Sequence, residues 1–293
     1  MTVHRPVMLE EAIGYLNVRS NHNYIDCTFG GGGHTQAMLE RNGPKGKVIA
    51  FELNTSAIQQ AKDLQKKYNK RLIIINDNFR NILKTESYKL QASGILYDLG
   101  FSTDELKGSG RGFSFQVDEP LDMRFSLESE LTAADIVQTW KEKELADLIY
   151  TYGEEKYSRR IAKNIVAARH KEPIQTTLQL VAIIERSVPP FYRHKKIHCS
   201  TRTFQALRIA VNDELESLNI SLEKSISLLK QGGRVVVISF HSLEDRIVKH
   251  FFKELVKTKK AIPLTKKPQT PTQKEIEINP AARSAKLRAI EIL

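Results

Sequence analysis

Residues 24–39 read YIDCTFGGGGHTQAML, and four consecutive glycines, Gly30 to Gly33, divide an apolar, β-prone run from a run of helix formers. A glycine turn between a strand and a helix lets a ligand come close to the main chain at a helix N-terminus. Asp26 stands at the end of the strand, four residues before Gly30. The pattern then repeats. Runs GKVIAFEL (46–53), RLIIIND (71–77) and ASGILYDLG (92–100) follow, with a helical pattern NTSAIQQAKDLQKKY (54–68) between the first two. Near-continuously apolar strands alternating with amphipathic helices predict a parallel sheet covered on both faces. Right-handed crossovers then make it a doubly wound α/β fold.

The alternation stops after Leu99. Residues 101–131 read as a loop containing glycines and aromatics, and residues 132–187 read as helical throughout. In that block Ile161, Ile165 and Ala168 line one face while Arg159, Arg160 and Lys163 lie largely off it. VPP at 188–190 ends the block. A ladder of Leu207, Val211, Leu215, Leu218, Leu222, Ile226 and Leu229 predicts one long helix over 203–229. GGRVVVISF (232–240) and SAKLRAIEIL (284–293) return to the sheet pattern, and the lysine-rich stretch 256–275 is expected to be a mobile loop. The expected organisation is one α/β domain, residues 1–130 and 200–293, interrupted by a helical insert over 131–199.

Lys and Arg number 45 against 34 Asp and Glu, a formal charge of +11. That balance favours polyanionic partners through long-range attraction and counterion release. Two cysteines, Cys27 and Cys199, far apart in sequence, do not make a disulfide framework. Acidic residues near the start argue against a secretory or mitochondrial leader, and no apolar run approaches a membrane span. A cytoplasmic location with no membrane partner is the expectation.

The dinucleotide fingerprint G-x-G-x-x-G would need glycine at 35, where Thr35 stands, so a nicotinamide-dependent oxidoreductase fits poorly. The spacing Asp26-x-x-x-Gly30-x-Gly32 fits better the turn of methyltransferases that bind S-adenosylmethionine, whose ammonium gains from a nearby acceptor or carboxylate. Glu52 ends the second strand, where an acid can accept both ribose hydroxyls. Phe79 follows the third strand in NDNF and could pack on an adenine ring, and Asp98 ends the fourth. Each has a plain structural reading: a flexible turn, a solvated strand end or helix cap, a core aromatic. Four such features at four consecutive strand ends favour one crevice at the carboxyl edge of the sheet.

Several stretches go further. HRPVMLEEAIGYLN, RGFSF, PLDMR, LTAAD, YGEEKYSRRIAKNI, TRTFQALRIAVNDEL, GGRVVVISFHSLEDRIVK and NPAARSAKLR occur in order over nearly the whole chain. They resemble the ribosomal RNA small subunit methyltransferase H family. The resemblance implies a class I S-adenosylmethionine-dependent methyltransferase with an inserted helical domain for RNA recognition. Its implied reaction is methylation of N4 of a cytidine in the decoding centre of 16S rRNA, with no metal and no DNA substrate. Carried over by position, the cofactor contacts are Gly32, Gly33, His34, Glu52, Phe79, Asp98 and Glu105. Glu52 stands where the family usually has Asp, Glu105 where it has Gln, Gly31 where it has Arg, and Asn54 where it has a second Asp.

Target-side candidates lie on the surrounding loops. Phe113 and Phe115 would stack on an extruded base or anchor their loop in the core. Arg111 joins them as a substrate contact. Asp122 and Arg124 offer an acceptor and a phosphate contact, or an internal ion pair. Arg202 contacts phosphate or holds the hinge of the insert. His241 faces the base, unless it belongs to a helix start spelled by Ser242 and Asp245. Arg159, Arg160, Lys163, Arg169, Lys171 and the RHKK run at 193–196 read as phosphate contacts or as a solvated face. The segment after the fourth strand is DLGF, without the prolines common in amino methyltransferases, so no catalytic base follows. The competing reading is a non-catalytic assembly factor on a methyltransferase scaffold.

Overall fold

Five β-prone runs form the parallel part of one sheet in the computed structural model, which describes residues 5–84, 91–100 and 110–293. Strands β1 (Tyr24–Asp26), β2 (Val48–Phe51), β3 (Leu72–Ile75), β4 (Ala92–Asp98) and β5 (Leu229–Ser239) pair in parallel. Strand β7 (Lys286–Ile292) returns antiparallel beside β5, and β6 (Ala261–Pro263) closes the edge against β7. The order β3-β2-β1-β4-β5-β7-β6 is that of the class I methyltransferase sheet. Alternation along the strands sends Tyr24, Val48, Ala50, Leu96 and Val236 to one core and Ile25, Ile49, Ile95, Val235 and Val237 to the other. Helices α1 (Leu9–Leu16) and α2 (Gly33–Arg41) cover the first core through Ile13, Leu16, Met38 and Leu39.

Helices α3 (Thr55–Gln60) and α4 (Lys62–Tyr68) replace the single helix expected over 54–68, with a break at Ala61. Beyond the sheet, α5 (Ala133–Thr139), α6 (Glu142–Gly153), α7 (Ser158–Arg169), α8 (Thr177–Ser187), the one-turn α9 (Pro190–Arg193) and α10 (Thr201–Asn212) surround their own core. Of the described residues, 110–214 form this helical unit, and 5–84, 91–100 and 215–293 form the sheet unit. The helical unit is wider than the insert expected over 131–199. Phe113, Leu121 and Met123 before it, and Phe204, Leu207 and Val211 after it, are buried in the helical core.

The long helix expected over 203–229 is two. Asp213 adopts a left-handed conformation (φ 50°) that ends α10, and α11 (Glu214–Ser225) begins anew. The apolar ladder divides accordingly: Leu207 and Val211 serve the helical core, whereas Leu218 and Leu222 serve the sheet core. The lysine-rich stretch 256–275 is ordered by pairing. After α12 (Ser242–Lys257), Ala261 to Pro263 pair with β7, the Thr265 hydroxyl accepts the Ala289 N–H at 3.0 Å, and Gln269 bridges to Leu287. Thr272 caps α13 (Gln273–Ile278) by accepting the Glu275 N–H. No helix of the described residues is long and apolar enough to cross a membrane.

Candidate functional site

The four strand ends singled out in the sequence converge in the sheet unit, tied by hydrogen bonds among themselves. Gly32 adopts φ +73°, and a Cβ there would stand 2.7 Å from Phe29 Cζ. At Gly33 a Cβ would stand 2.8 Å from Pro6 Cγ. Bare backbone at both positions is therefore required by the chain's own packing, as well as leaving the turn open to a ligand. Glu52 reaches across from β2: one carboxylate oxygen accepts the Gly30 N–H at 2.8 Å, the other the Asn54 N–H at 2.7 Å.

Asp26, expected as a possible acceptor for the ammonium, is fully buried and committed elsewhere. Its two oxygens accept the Thr28 N–H at 3.1 Å and the Thr35 hydroxyl at 2.7 Å. Burial raises its carboxyl above the usual range, outweighing those bonds and the nearby His34. Asp26 staples the turn to the start of α2. The free acceptor is Asp98. Its N–H donates to the Thr28 hydroxyl at 2.7 Å and its Oδ2 lies 3.4 Å from His34 Nδ1, while Oδ1 is buried without a hydrogen-bond partner among the described residues. A buried, unpaired carboxylate oxygen is costly, and a cationic ligand would satisfy it.

His34 explains how Asp98 is held. Its Nε2 donates to the Val7 carbonyl at 3.1 Å and its Nδ1 faces Asp98, so both nitrogens meet acceptors. Burial opposes protonation, but Asp98, Asp26 and the Val7 carbonyl outweigh it and raise the imidazole above 6.5. The ring therefore positions Asp98. Phe79, opening a short 3₁₀ turn, packs edge-on against Tyr97 with centroids 5.8 Å apart, and its ring is half-buried. Glu105 lies outside the described residues. Thr28 was not singled out in sequence, and the Pro6–Val7 segment entered only within the family-like stretch HRPVMLEEAIGYLN, with no role assigned. The alternation Asp26, Thr28 along the strand was the available signal for the first; nothing local marked the second.

Target-side expectations fare differently. Phe113 is 7% exposed and stacks on Phe125 at 5.5 Å in the helical core, so it anchors its loop and is not presented to a base. Phe115 stacks on His198 at 4.9 Å and meets Phe204 edge-on. Arg111 donates to the Arg124 and Phe125 carbonyls at 2.9 and 3.2 Å, holding the same loop. Asp122 and Arg124 form the internal pair, bidentate at 2.9 and 2.7 Å. Burial would raise the Asp122 carboxyl, but the Arg124 bonds outweigh it and hold it low. Arg202 donates to the Glu154 carbonyl at 2.8 Å, at the C-terminal end of α6. Arg159, Arg160 and Lys163 stand exposed on α7, and Lys171 and residues 193–196 are exposed beyond it, as expected of phosphate contacts, whereas Arg169 donates to the Val137 carbonyl at 2.7 Å.

His241 follows β5, whose Ile238 is in register with Asp98, so it stands at the same carboxyl edge of the sheet. It is itself the cap of α12, one residue earlier than expected. Its Nδ1 accepts the Glu244 N–H at 3.3 Å, and Glu244 accepts the Phe240 and His241 N–H groups. With Nδ1 accepting, the ring proton of the neutral form sits on Nε2, which lies 3.2 Å from Glu244 Oε1 but makes no hydrogen bond. Asp245, expected in the cap, pairs with Arg288 at 2.7 Å and Lys286 at 3.4 Å on β7.

In the helical unit Glu185, His198 and Cys199 lie close enough to suggest a metal site. His198 Nδ1 accepts the Ser200 N–H at 3.2 Å, leaving the proton on Nε2 toward Glu185, so that ring is not poised as a ligand.

A protein from Kosmotoga olearia, called ribosomal RNA small subunit methyltransferase H, is 49% identical over 292 residues, covering 98% of this chain and 97% of its own. Proteins of the same name from Thermomicrobium roseum and Desulfotalea psychrophila are each 46% identical. They cover 99% of this chain and, respectively, 94% and 98% of their own. The family model described as the MraW methylase family matches residues 1–293. With a match of that extent, and with the glycine turn and strand-end acids assembled as such a fold requires, the chain belongs to the MraW methylase family.

Proposed function

We propose that this protein is an S-adenosylmethionine-dependent rRNA methyltransferase that acts on N4 of a cytidine in the decoding centre of 16S rRNA, within the small ribosomal subunit. The observation that carries the cofactor assignment is the buried Oδ1 of Asp98 at the end of β4, without a partner among the described residues and on a carboxylate held by His34. When bound, S-adenosylmethionine supplies a methyl group activated by a sulfonium sulfur. Asp98 Oδ1 would accept a hydrogen bond from the ammonium, the Glu52 carboxylate would hold the ribose hydroxyls, and Phe79 would offer a ring to the adenine. The rRNA substrate is supported by the names of the relatives, and the cytidine N4 target by the family resemblance.

The lone pair of cytosine N4 is delocalised into the ring, so positioning and exclusion of water matter more than proton abstraction before attack. His241 suits that task as a donor. With Nδ1 accepting the Glu244 N–H, the ring's donor is Nε2–H, which lies beside Glu244 Oε1 at 3.2 Å and matches the N3 or O2 edge of cytosine. Arg159, Arg160 and Lys163 position phosphates on the helical unit.

The test uses purified protein, labelled S-adenosylmethionine and small subunits from a strain lacking the gene. The expected product is one N4-methylated cytidine, read by mass spectrometry of the digested RNA. Asp98→Asn is expected to lose roughly 10- to 100-fold in cofactor affinity by calorimetry, the value of one hydrogen bond to a charged group. Wild-type protein that binds the cofactor yet leaves the RNA unlabelled would reject the assignment.

A further inference from the structure

Two basic segments far apart in sequence meet around a pair of tyrosines in the helical unit. Tyr157, at the start of α7, and Tyr192, in α9, pack edge to face with centroids 4.9 Å apart. Glu155, wholly buried, locks them: it accepts the Tyr192 hydroxyl at 2.8 Å and the Tyr157 N–H at 2.9 Å. Lys156 Nζ lies over both rings, at 4.9 and 5.4 Å, and Lys195 Nζ lies over Tyr192 at 5.1 Å. The cations of 193–196 are thereby joined to those at the start of α7 on one surface. No acidic residue occurs between Glu185 and Asp213, so this segment carries only positive charge.

Phe191, next to Tyr192 and two residues before the basic run 193–196, has 62% of its surface exposed. Its neighbour Tyr192 is 7% exposed, so α9 buries one ring and presents the next. A single exposed aromatic is ordinary on a neutral surface. Among cations that attract phosphates it is the arrangement used to hold single strands, in which bases stack on an aromatic face while the backbone follows the charge.

We propose that Phe191 is a stacking platform for an unpaired base of the RNA, with Lys156, Arg193, Lys195 and Lys196 taking the adjoining phosphates. Identification of the polyanion as RNA rests on the functional reading above. Single-stranded character follows from the geometry, because a base already stacked in a duplex has no face to offer a protruding ring.

The test titrates the full-length protein with an unstructured ribo-oligonucleotide of about ten nucleotides, and with a duplex of the same composition. Phe191→Ala is expected to weaken single-strand binding roughly 5- to 100-fold while the slope of log affinity against log salt stays the same, because stacking releases no counterions. Lys195→Glu with Lys196→Glu is expected to lower that slope. Phe191→Trp, made with Trp140→Phe so that the introduced indole is the sole reporter, should retain affinity and be quenched by the single strand more than by the duplex. Unchanged affinity in Phe191→Ala, or equal quenching by duplex and single strand, overturns the proposal. Methylation of small subunits by the wild type is measured in parallel. Its failure would remove the functional reading, whereas the oligonucleotide titration judges the platform by itself.

Discussion

Asp98 and His34 set the chemistry of the site at the scale of single residues. Both nitrogens of the His34 ring face acceptors, which favours the imidazolium and raises its proton affinity above the ordinary value of 6.5. The folded state binds that proton more tightly than the unfolded one. Its stabilising contribution is therefore complete below about pH 6.5 and fades as the pH rises through the raised folded value. The difference in Tm between wild type and His34→Gln is expected to narrow as the pH rises from about 6.5 through the raised folded value, as measured by calorimetric scans. A constant gap would mean that the ring acts by shape alone. Gly32 answers to sterics. Its positive φ and the 2.7 Å approach of Phe29 to a notional Cβ predict that Gly32→Ala loses about 1–3 kcal/mol of stability in denaturant titrations. Cofactor affinity should fall with it, since the same turn would hold the ligand.

At the scale of elements, helix α12 and strand β7 of the sheet unit are joined by charge. Asp245, on the first turn of α12, takes Arg288 and Lys286 of β7. Burial raises the Asp245 carboxyl, but Arg288 and Lys286 outweigh it, leaving it below its ordinary value. Its contribution is thus present above about pH 4 and is lost as the pH falls through the depressed folded value. Asp245→Ala should cost roughly 1–3 kcal/mol near neutral pH by urea unfolding, and the cost should shrink in acid. The N-terminal segment is fastened as well. Pro6 seats on Gly33, the Val7 carbonyl accepts from His34, and the Met8 N–H donates to Glu275 at 2.6 Å. Residues more than 260 positions apart in sequence thereby brace the glycine turn.

For the whole molecule the governing quantity is charge. A formal +11 draws any polyanion, and screening weakens the attraction as salt rises. Arg159, Arg160 and Lys163 present part of that charge on one exposed helix face. Reversing all three is expected to weaken rRNA binding and to lower the salt slope by about one for each phosphate no longer neutralised. Cofactor affinity should stay intact, because the strand-end site lies in the other unit. Unchanged RNA affinity and slope would assign these residues to a solvated face.

Strands β1 to β5 and β7, and the places of Gly32, Glu52, Phe79 and Asp98 at strand ends, were legible in the sequence by itself, as was the helical character of residues 132–187, whereas β6 lies in a stretch read as a mobile loop. Period-two and period-3.6 patterning and the permissive backbone of glycine are local properties, carried by a few neighbouring residues. Tertiary structure alone decided that Asp26 is spent on Thr28 and Thr35 while Asp98 keeps a free oxygen, that Phe113 is core, and that one leucine ladder serves two cores across Asp213. Partnership and burial depend on segments that meet only on folding, and a residue's type does not reveal which of its atoms will be left without a partner.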